Sequence, residues 1–218
     1  MEKHRMTLFS ESSASGGCCG FLNALIDLHP RYLDANMLSF AGGSSSCYVY
    51  LLKLAQLTVI ALEAAFPQEI RFADSSRLCV CSDYQLPKAL RVSGLIAYNT
   101  DLASKVDGRV LLGNGSREEV EIRVASTISA AQLMEWANST YLPSLEENES
   151  ALATTRHIKG ARVDISSLDY ALWFYGRSFK DQPHHLCRTV MYLLFFFAVL
   201  VSFLGFSLSC QTLDGKQS

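Results

Sequence analysis

The stretch Met191–Cys210, MYLLFFFAVLVSFLGFSLSC, carries no charged residue and divides the chain into a mixed N-terminal part and an apolar end. A helix of about 20 apolar residues is long enough to cross a bilayer, and the same run left in water would form an association-prone patch. Taken alone it predicts a tail anchor followed by the polar end QTLDGKQS, the alternative being an altered gene model such as an unspliced intron. The apolar segment Cys47–Phe66 reads differently, because Lys53 and Glu63 inside it are costly in lipid. Lys53, Gln56 and Glu63 fall at helical offsets as one polar stripe, so this segment predicts a helix buried on most sides and stopped by Pro67.

Ahead of the tail, the composition is that of a globular domain. Of the 218 residues, 49% are hydrophobic and 11% aromatic, enough for a sizeable core and inconsistent with a disordered chain. Nineteen basic residues against 21 acidic ones give a net charge of -2, which asks for no long polyphosphate partner and suits a small ligand. The 7 cysteines are odd in number and irregularly spaced, so a reducing compartment is the default. Sequons at Asn114, Asn138 and Asn148 point the other way but need a secretion route, and residues 1–20 hold no apolar core of signal-peptide length.

The pattern along the chain predicts mainly helices with a minor strand element. Residues 1–20, rich in Ser, Gly and charge, read as a flexible lead-in with order starting near Phe21, and Ser44–Ser46 as a second loop. Capping residues Ser82 and Asp83 stand ahead of Pro87, and Leu86, Ala89, Leu90, Ser93, Gly94 and Ala97 recur at helical spacing. Val120, Ile122 and Val124 alternate with Glu119, Glu121 and Arg123 as in a short strand, after which Ser126 would cap a helix carried by Ile128, Ala131, Leu133, Met134 and Ala137. Residues 143–162 read as loop, and Ser166 or Ser167 would cap a helix with Leu168, Leu172 and Tyr175 on one face.

Few residues declare chemistry by themselves. Asp83 falls at a helix start, where the backbone N–H groups and the dipole stabilise a carboxylate; residue type alone favours a structural cap over a catalytic role. Asp169 and Tyr170 fall in the first turn of a helix with Trp173 one turn on, again a usual place for a dipole-serving acid. His184 and His185 are adjacent and lack a second ligand pair at finger spacing, so metal binding is not expected. Cys79-x-Cys81 lacks the two-residue spacer of redox and zinc motifs, and Gly113-x-Gly115 is too short for a phosphate loop.

The ordered set YLLKLAQL (50–57), CSDYQLPKAL (81–90), Gly94 to Tyr98 read as a helix, GSREEVEIR (115–123), SLDYALW (167–173) and PHHLCRTVMY (183–192) resembles the queuosine salvage family, the queuosine 5'-phosphate N-glycosylase/hydrolases. That family's pattern runs F-A-D-Y-R-[VL]-P-Q, then E-V-E-I-R, then D-[YF]-Y-L-W-D, then P-F-H-R-x-R ahead of a Tyr pair. Each piece is weak alone; the combination, spanning about residues 21–192, is specific.

The resemblance implies a DNA-glycosylase-like helical fold over 21–192, with 193–218 outside it. It implies hydrolysis of the N-glycosidic bond of queuosine 5'-phosphate to release queuine, with no cofactor, no metal and no direct nucleic-acid binding, in the cytoplasm. It makes Asp83 the catalytic carboxylate, places Cys81 at a base-contacting aromatic position, and gives Asp169 and Tyr170 to queuine. Three positions depart from the pattern: Phe174 stands where the family has a second ligand-binding aspartate, Gln85 replaces the motif arginine, and Cys81 replaces an aromatic. Family members are longer at the N-terminus, where further active-site residues including a histidine are supplied, so the chain reads as truncated. The competing expectations are an impaired relative that keeps the fold, and a tail-anchored interaction module facing the cytosol with membrane contact through 191–210.

Overall fold

Gly17 starts the first of the described helices, at an end that a carboxylate from elsewhere in the chain caps. The computed structural model describes residues 17–39, 46–147 and 161–188. The tail from Thr189 onward, including the apolar run, lies outside the described residues, as do the Ser44–Ser45 loop and the Asn148 sequon. No helix among the described residues is long and apolar enough to cross a membrane. The described chain divides into two units, the first ending at Cys81 and the second running from Ser82 to Arg188.

In the first unit, α1 (Gly17–Leu28) begins before the expected onset of order at Phe21. Asp74 Oδ1 accepts the Cys18 N–H at 2.6 Å, and a Cβ on Gly17, whose φ is +57°, would meet that oxygen. Cys18, Phe21, Leu22 and Leu25 are the buried residues of α1, which packs on α2 (Lys53–Ala65), where Leu54, Ala55 and Val59 are buried. The expected helix over 47–66 is therefore only half right. Its first residues form β2 (Ser46–Tyr50), paired antiparallel with β1 (Ala35–Ser39), with Met37 opposite Tyr48. The tyrosines and valine of Cys47–Tyr50 suit a pleated strand, and Leu52 at φ 47° turns the chain from strand to helix. The polar stripe is not a solvent face either. Lys53 and Gln56 are buried, and the Gln56 amide spans from the Leu51 carbonyl (2.8 Å) to the Cys79 N–H (2.6 Å).

Among the described residues, the second unit carries α3 (Gln85–Val92), α4 (Thr100–Asp107), α5 (Arg117–Trp136), α6 (Leu142–Glu147) and α7 (Ile165–Ser178). Two short parallel strands, β3 (Leu111–Leu112) and β4 (Leu186–Cys187), pair beside them. Mainly α with a minor strand element is thus the observed class. Helix α3 ends earlier than the small-residue pattern through Ala97 suggests. Gly94, at φ +73°, lets the Leu95 N–H reach the Leu90 carbonyl (2.9 Å) and its own N–H reach that of Arg91 (3.0 Å), which terminates the helix; the Gly94–Tyr98 segment is turn and coil.

The strand expected at Val120–Val124 is instead the start of α5. Ser116 accepts the Glu119 N–H, Glu118 and Glu119 fill the first turn, and Arg117 pairs with Glu121 one turn on. Its buried positions, Glu119, Val120, Ile122, Arg123, Ser126 and Ala130, follow helical spacing, so the alternation over 119–124 is incidental. Ser126 sits mid-helix and donates back to the Ile122 carbonyl (2.8 Å) rather than capping, and Ile128 is exposed. Ile122 packs with Leu102, Val106 and Leu112 in a small core. A π-helical turn, Ala137–Tyr141, follows, and the Asn138 amide grips both backbone groups of Val163 (2.9 and 2.8 Å), which occupies that sequon's side chain.

Helix α7 is capped by Asp164, whose carboxylate accepts the Ser167 N–H at 2.7 Å, not by Ser166 or Ser167. Its face of Ile165, Leu168, Leu172 and Gly176 is buried, while Tyr175 is exposed. Helices α3 and α7 form the most extensive packing pair in the unit. At its far end the Lys88 ammonium donates to the Phe179 carbonyl at 3.2 Å, matching a cation to the helix C-terminus.

Candidate active site around Asp83

Asp83 occupies the turn that leads into α3. Its Oδ1 accepts the Gln85 N–H at 2.7 Å, which satisfies one of the orphan donors of the helix start, and the residue is only 4% exposed. The carboxylate expected at the helix start is therefore present, although Tyr84 and not Asp83 is the N-cap residue. Burial adds something a surface cap does not need, a carboxylate largely removed from water. Cys81 ends the first unit two positions earlier and is itself buried.

Behind the turn lies a polar cluster that the sequence reading missed. Arg123, 2% exposed, donates from Nε to the Ser82 carbonyl (3.1 Å) and from Nη1 to Glu119 (3.2 Å), which is fully buried. The signal for this pair was the Glu-x-x-x-Arg spacing after a Ser-x-x-Glu capping box, hidden by reading the segment as a strand. His185 is also buried, and burial, with His184 and Arg123 nearby, pushes its imidazole down to about 3, so it is neutral at physiological pH. Burial also raises the Cys187 thiol to about 11, reinforced by Glu119 and opposed by Arg123. His184 is lowered by burial and by the charges of Lys88 and Arg109, and its ring lies against that of Tyr84 at 4.7 Å. The two histidines therefore do separate things. One packs on the residue after Asp83, and the other enters the interior beside β4.

Asp169, Tyr170 and Phe174 lie on α7, away from its buried stripe. Tyr170 is 63% exposed and Phe174 62%, their rings parallel within 26° at 6.2 Å, and Asp169 beside them is half-buried. Trp173 carries the Arg177 guanidinium over its ring at 4.7 Å. The outer face of α7 is thus an aromatic ledge with one carboxylate, the elements a flat heterocycle uses for stacking and hydrogen bonding. Its helix is seated on the turn after Asp83: a Cβ on Gly176 would stand 2.5 Å from the Gln85 carbonyl oxygen.

Two other groupings do not coincide with these residues. A cleft of about 470 Å³ is lined by Lys88, Arg91, Val92, Asp107, Asp181, Gln182 and Pro183, and includes none of the expected site residues. It is a polar surface recess whose Arg91 and Asp107 are paired to each other at 2.7 Å, so the buried Asp83 turn has the better chemistry. Cys18, Cys19 and Asp74 bring ligand atoms within 4.8 Å of one another, but Asp74 is engaged by the N-terminus of α1, and burial and Asp74 hold the Cys18 thiol up at about 12.

The chain is similar to known proteins over most of its length. A protein of Sphaerobacter thermophilus named queuosine 5'-phosphate N-glycosylase/hydrolase is 27% identical over 190 residues, covering 84% of this chain and 51% of its own. Proteins of the same name from Bos taurus and Mus musculus are 29% identical over 175 residues and 32% over 127, covering 78% and 56% of this chain and 47% and 33% of theirs. The chain spans about half the length of the curated relatives it matches, or less. The sequence model of the family described as queuosine salvage protein matches residues 7–192, and the chain belongs to that family.

Proposed function

We propose that this chain carries the nucleotide-cleaving site of a queuosine 5'-phosphate N-glycosylase/hydrolase, with Asp83 as the catalytic carboxylate. The observation that carries the reading is the buried Asp83 carboxylate, oriented by the Gln85 N–H, in a chain of the queuosine salvage family. Cleavage of an N-glycosidic bond develops positive charge on the ribose ring. A carboxylate beneath the anomeric carbon stabilises that oxocarbenium ion or captures it, and its effect is greatest where water is excluded. The same burial means that a nucleotide reaches Asp83 only when neighbouring side chains move. Asp169 and Tyr170 would hold the polar edge and the face of the base, with Phe174 extending the stack where the family pattern has an acid, and Cys81 would lie next to the base.

The substrate in this reading is a free nucleotide rather than intact RNA, in keeping with a net charge of -2. No step requires a metal or a cofactor. Incubating the purified chain with queuosine 5'-phosphate and following queuine by chromatography tests it, with Asp83→Asn as the control: release by the parent and not by the variant supports the assignment. Phe174 at the acid position favours a second reading, an impaired relative that keeps the fold. A parent that binds queuine in calorimetry yet releases none would favour that one. Recovery of the expressed chain in the carbonate-resistant membrane fraction would add the anchor expected from 191–210.

A further inference from the structure

We propose that Arg123 is a positioning residue for Asp83, acting through the Ser82–Asp83 peptide. This rests on the reading of Asp83 as the catalytic carboxylate. The guanidinium reaches 41 residues back along the chain to the Ser82 carbonyl, the oxygen of the peptide bond whose nitrogen belongs to Asp83. Holding that oxygen fixes the rotation of the peptide plane and with it the direction in which the Asp83 side chain leaves the backbone. The carboxylate itself is held by the Gln85 N–H. Glu119 fixes Arg123 in turn: it lies one turn earlier on the same buried face of α5 and holds Nη1, leaving Nε directed at the carbonyl.

A buried ion pair is a poor way to gain stability, since its desolvation cost offsets most of its attraction and an apolar pair of similar volume serves the fold as well or better. What an apolar pair cannot do is donate to the Ser82 carbonyl. The Glu119–Arg123 pair therefore acts through orientation, and its loss falls on the chemical step rather than on ligand binding.

The discriminating variant is the doubly apolar Glu119→Leu/Arg123→Met, which removes the clamp without leaving a buried charge unpaired, compared with Arg123→Lys, which keeps a donor. The expected result is a folded double variant with kcat for queuine release down about 100-fold, the scale of a misplacement of roughly 1 Å. KM should stay within about two-fold, and Arg123→Lys should recover part of kcat. An unchanged kcat in the folded double variant, or a rise in KM that accounts for the whole loss, overturns the proposal. Amide exchange at Gln85 reads the clamp without any turnover, because that N–H is protected by the Asp83 carboxylate. Exchange about ten-fold faster in the double variant, with α5 amides unchanged, supports the clamp, and unchanged protection at Gln85 overturns it. If the double variant does not fold, Arg123→Lys carries the same two readouts: a modest loss of kcat and of Gln85 protection supports the clamp, and parent values of both overturn it. A parent chain without queuine release sinks the catalytic reading while the exchange result still decides the clamp.

Discussion

The turn at Asp83 and the outer face of α7 are built in opposite ways. Asp83 is buried and tied down at two points, its preceding carbonyl by Arg123 and its carboxylate by the Gln85 N–H. Tyr170 and Phe174 stand more than half exposed, placed by their helix and by each other. A group that must meet a developing charge gains from having its orientation settled in advance, whereas stacking tolerates adjustment and draws on area more than direction. Under the proposed function, the difference leads to the expectation that changes at the turn act on rate and changes on the ledge act on affinity.

The largest effect should come from removing the charge at the turn. Asp83→Asn keeps an acceptor for the Gln85 N–H and so keeps the turn into α3, but it cannot stabilise a cation. Queuine release is expected to fall by about 100- to 1,000-fold, with the melting temperature close to that of the parent. A variant as active as the parent would place the chemistry elsewhere.

Acid should destabilise the fold through the interior behind the turn. The His185 imidazole is held down to about 3 in the folded chain, mainly by burial, against an ordinary value near 6.5. Between those two values the unfolded chain binds the proton and the folded chain does not. The contribution to stability is therefore full above about pH 6.5 and declines as pH falls toward 3, at up to about 1.4 kcal/mol per pH unit. Denaturant midpoints measured across that window should slope downward with acid, and His185→Gln should flatten the slope. A parallel profile for the variant would assign the acid sensitivity to other groups.

Much of this architecture was readable before the structure, and the failures have physical causes. The existence of helices α3 and α7, and the place of Asp83 just ahead of α3, followed from capping-type residues and apolar spacing, which are local signals; Asp169 falls beyond the first turn of α7, because Asp164 rather than Ser166 or Ser167 caps that helix. The strand reading of 119–124 failed because Val120 and Ile122 alternate with charged residues over too short a window to separate a period of two from one of 3.6. Once Glu119 and Arg123 went to the solvent side of that supposed strand, the buried pair behind Asp83 disappeared from view. The β1–β2 hairpin was lost for a related reason, an apolar run continuous with α2 whose boundary is set by Leu52 at φ 47°, a conformation that residue type does not announce. What the cap reading of Asp83 could not supply was its burial, since burial depends on packing between α3 and helices far along the chain.

Gly176 joins the two regions, and enlarging it should disturb both. The added methyl of Gly176→Ala would meet the Gln85 carbonyl oxygen at 2.5 Å and its side-chain Oε1 at 3.3 Å, so either α7 backs away or the turn after Asp83 shifts. Overpacking of this kind costs about 1–3 kcal/mol, read as a lower melting temperature together with a loss of rate. Retention of both would mean that the α3–α7 contact is slack and that the ledge and the turn are independent.

The smallest effect is expected on the ledge. Phe174 stands where the family pattern has an acid, and Phe174→Asp would place a carboxylate one turn beyond Tyr170 on the same exposed face. If the polar edge of queuine lies along this face, the new acceptor gains a hydrogen bond to it. A hydrogen bond to a charged group can be worth more than a neutral one, but at an exposed position water competes, and the lost ring area subtracts from the gain. The net is about 1 kcal/mol, roughly five-fold in Kd by calorimetry with kcat little changed. Tighter binding without a change in rate would sharpen the division between an affinity-setting ledge and a rate-setting turn. Weaker binding would mean that Phe174 earns its place by stacking and that the base is recognised from the aromatic side alone.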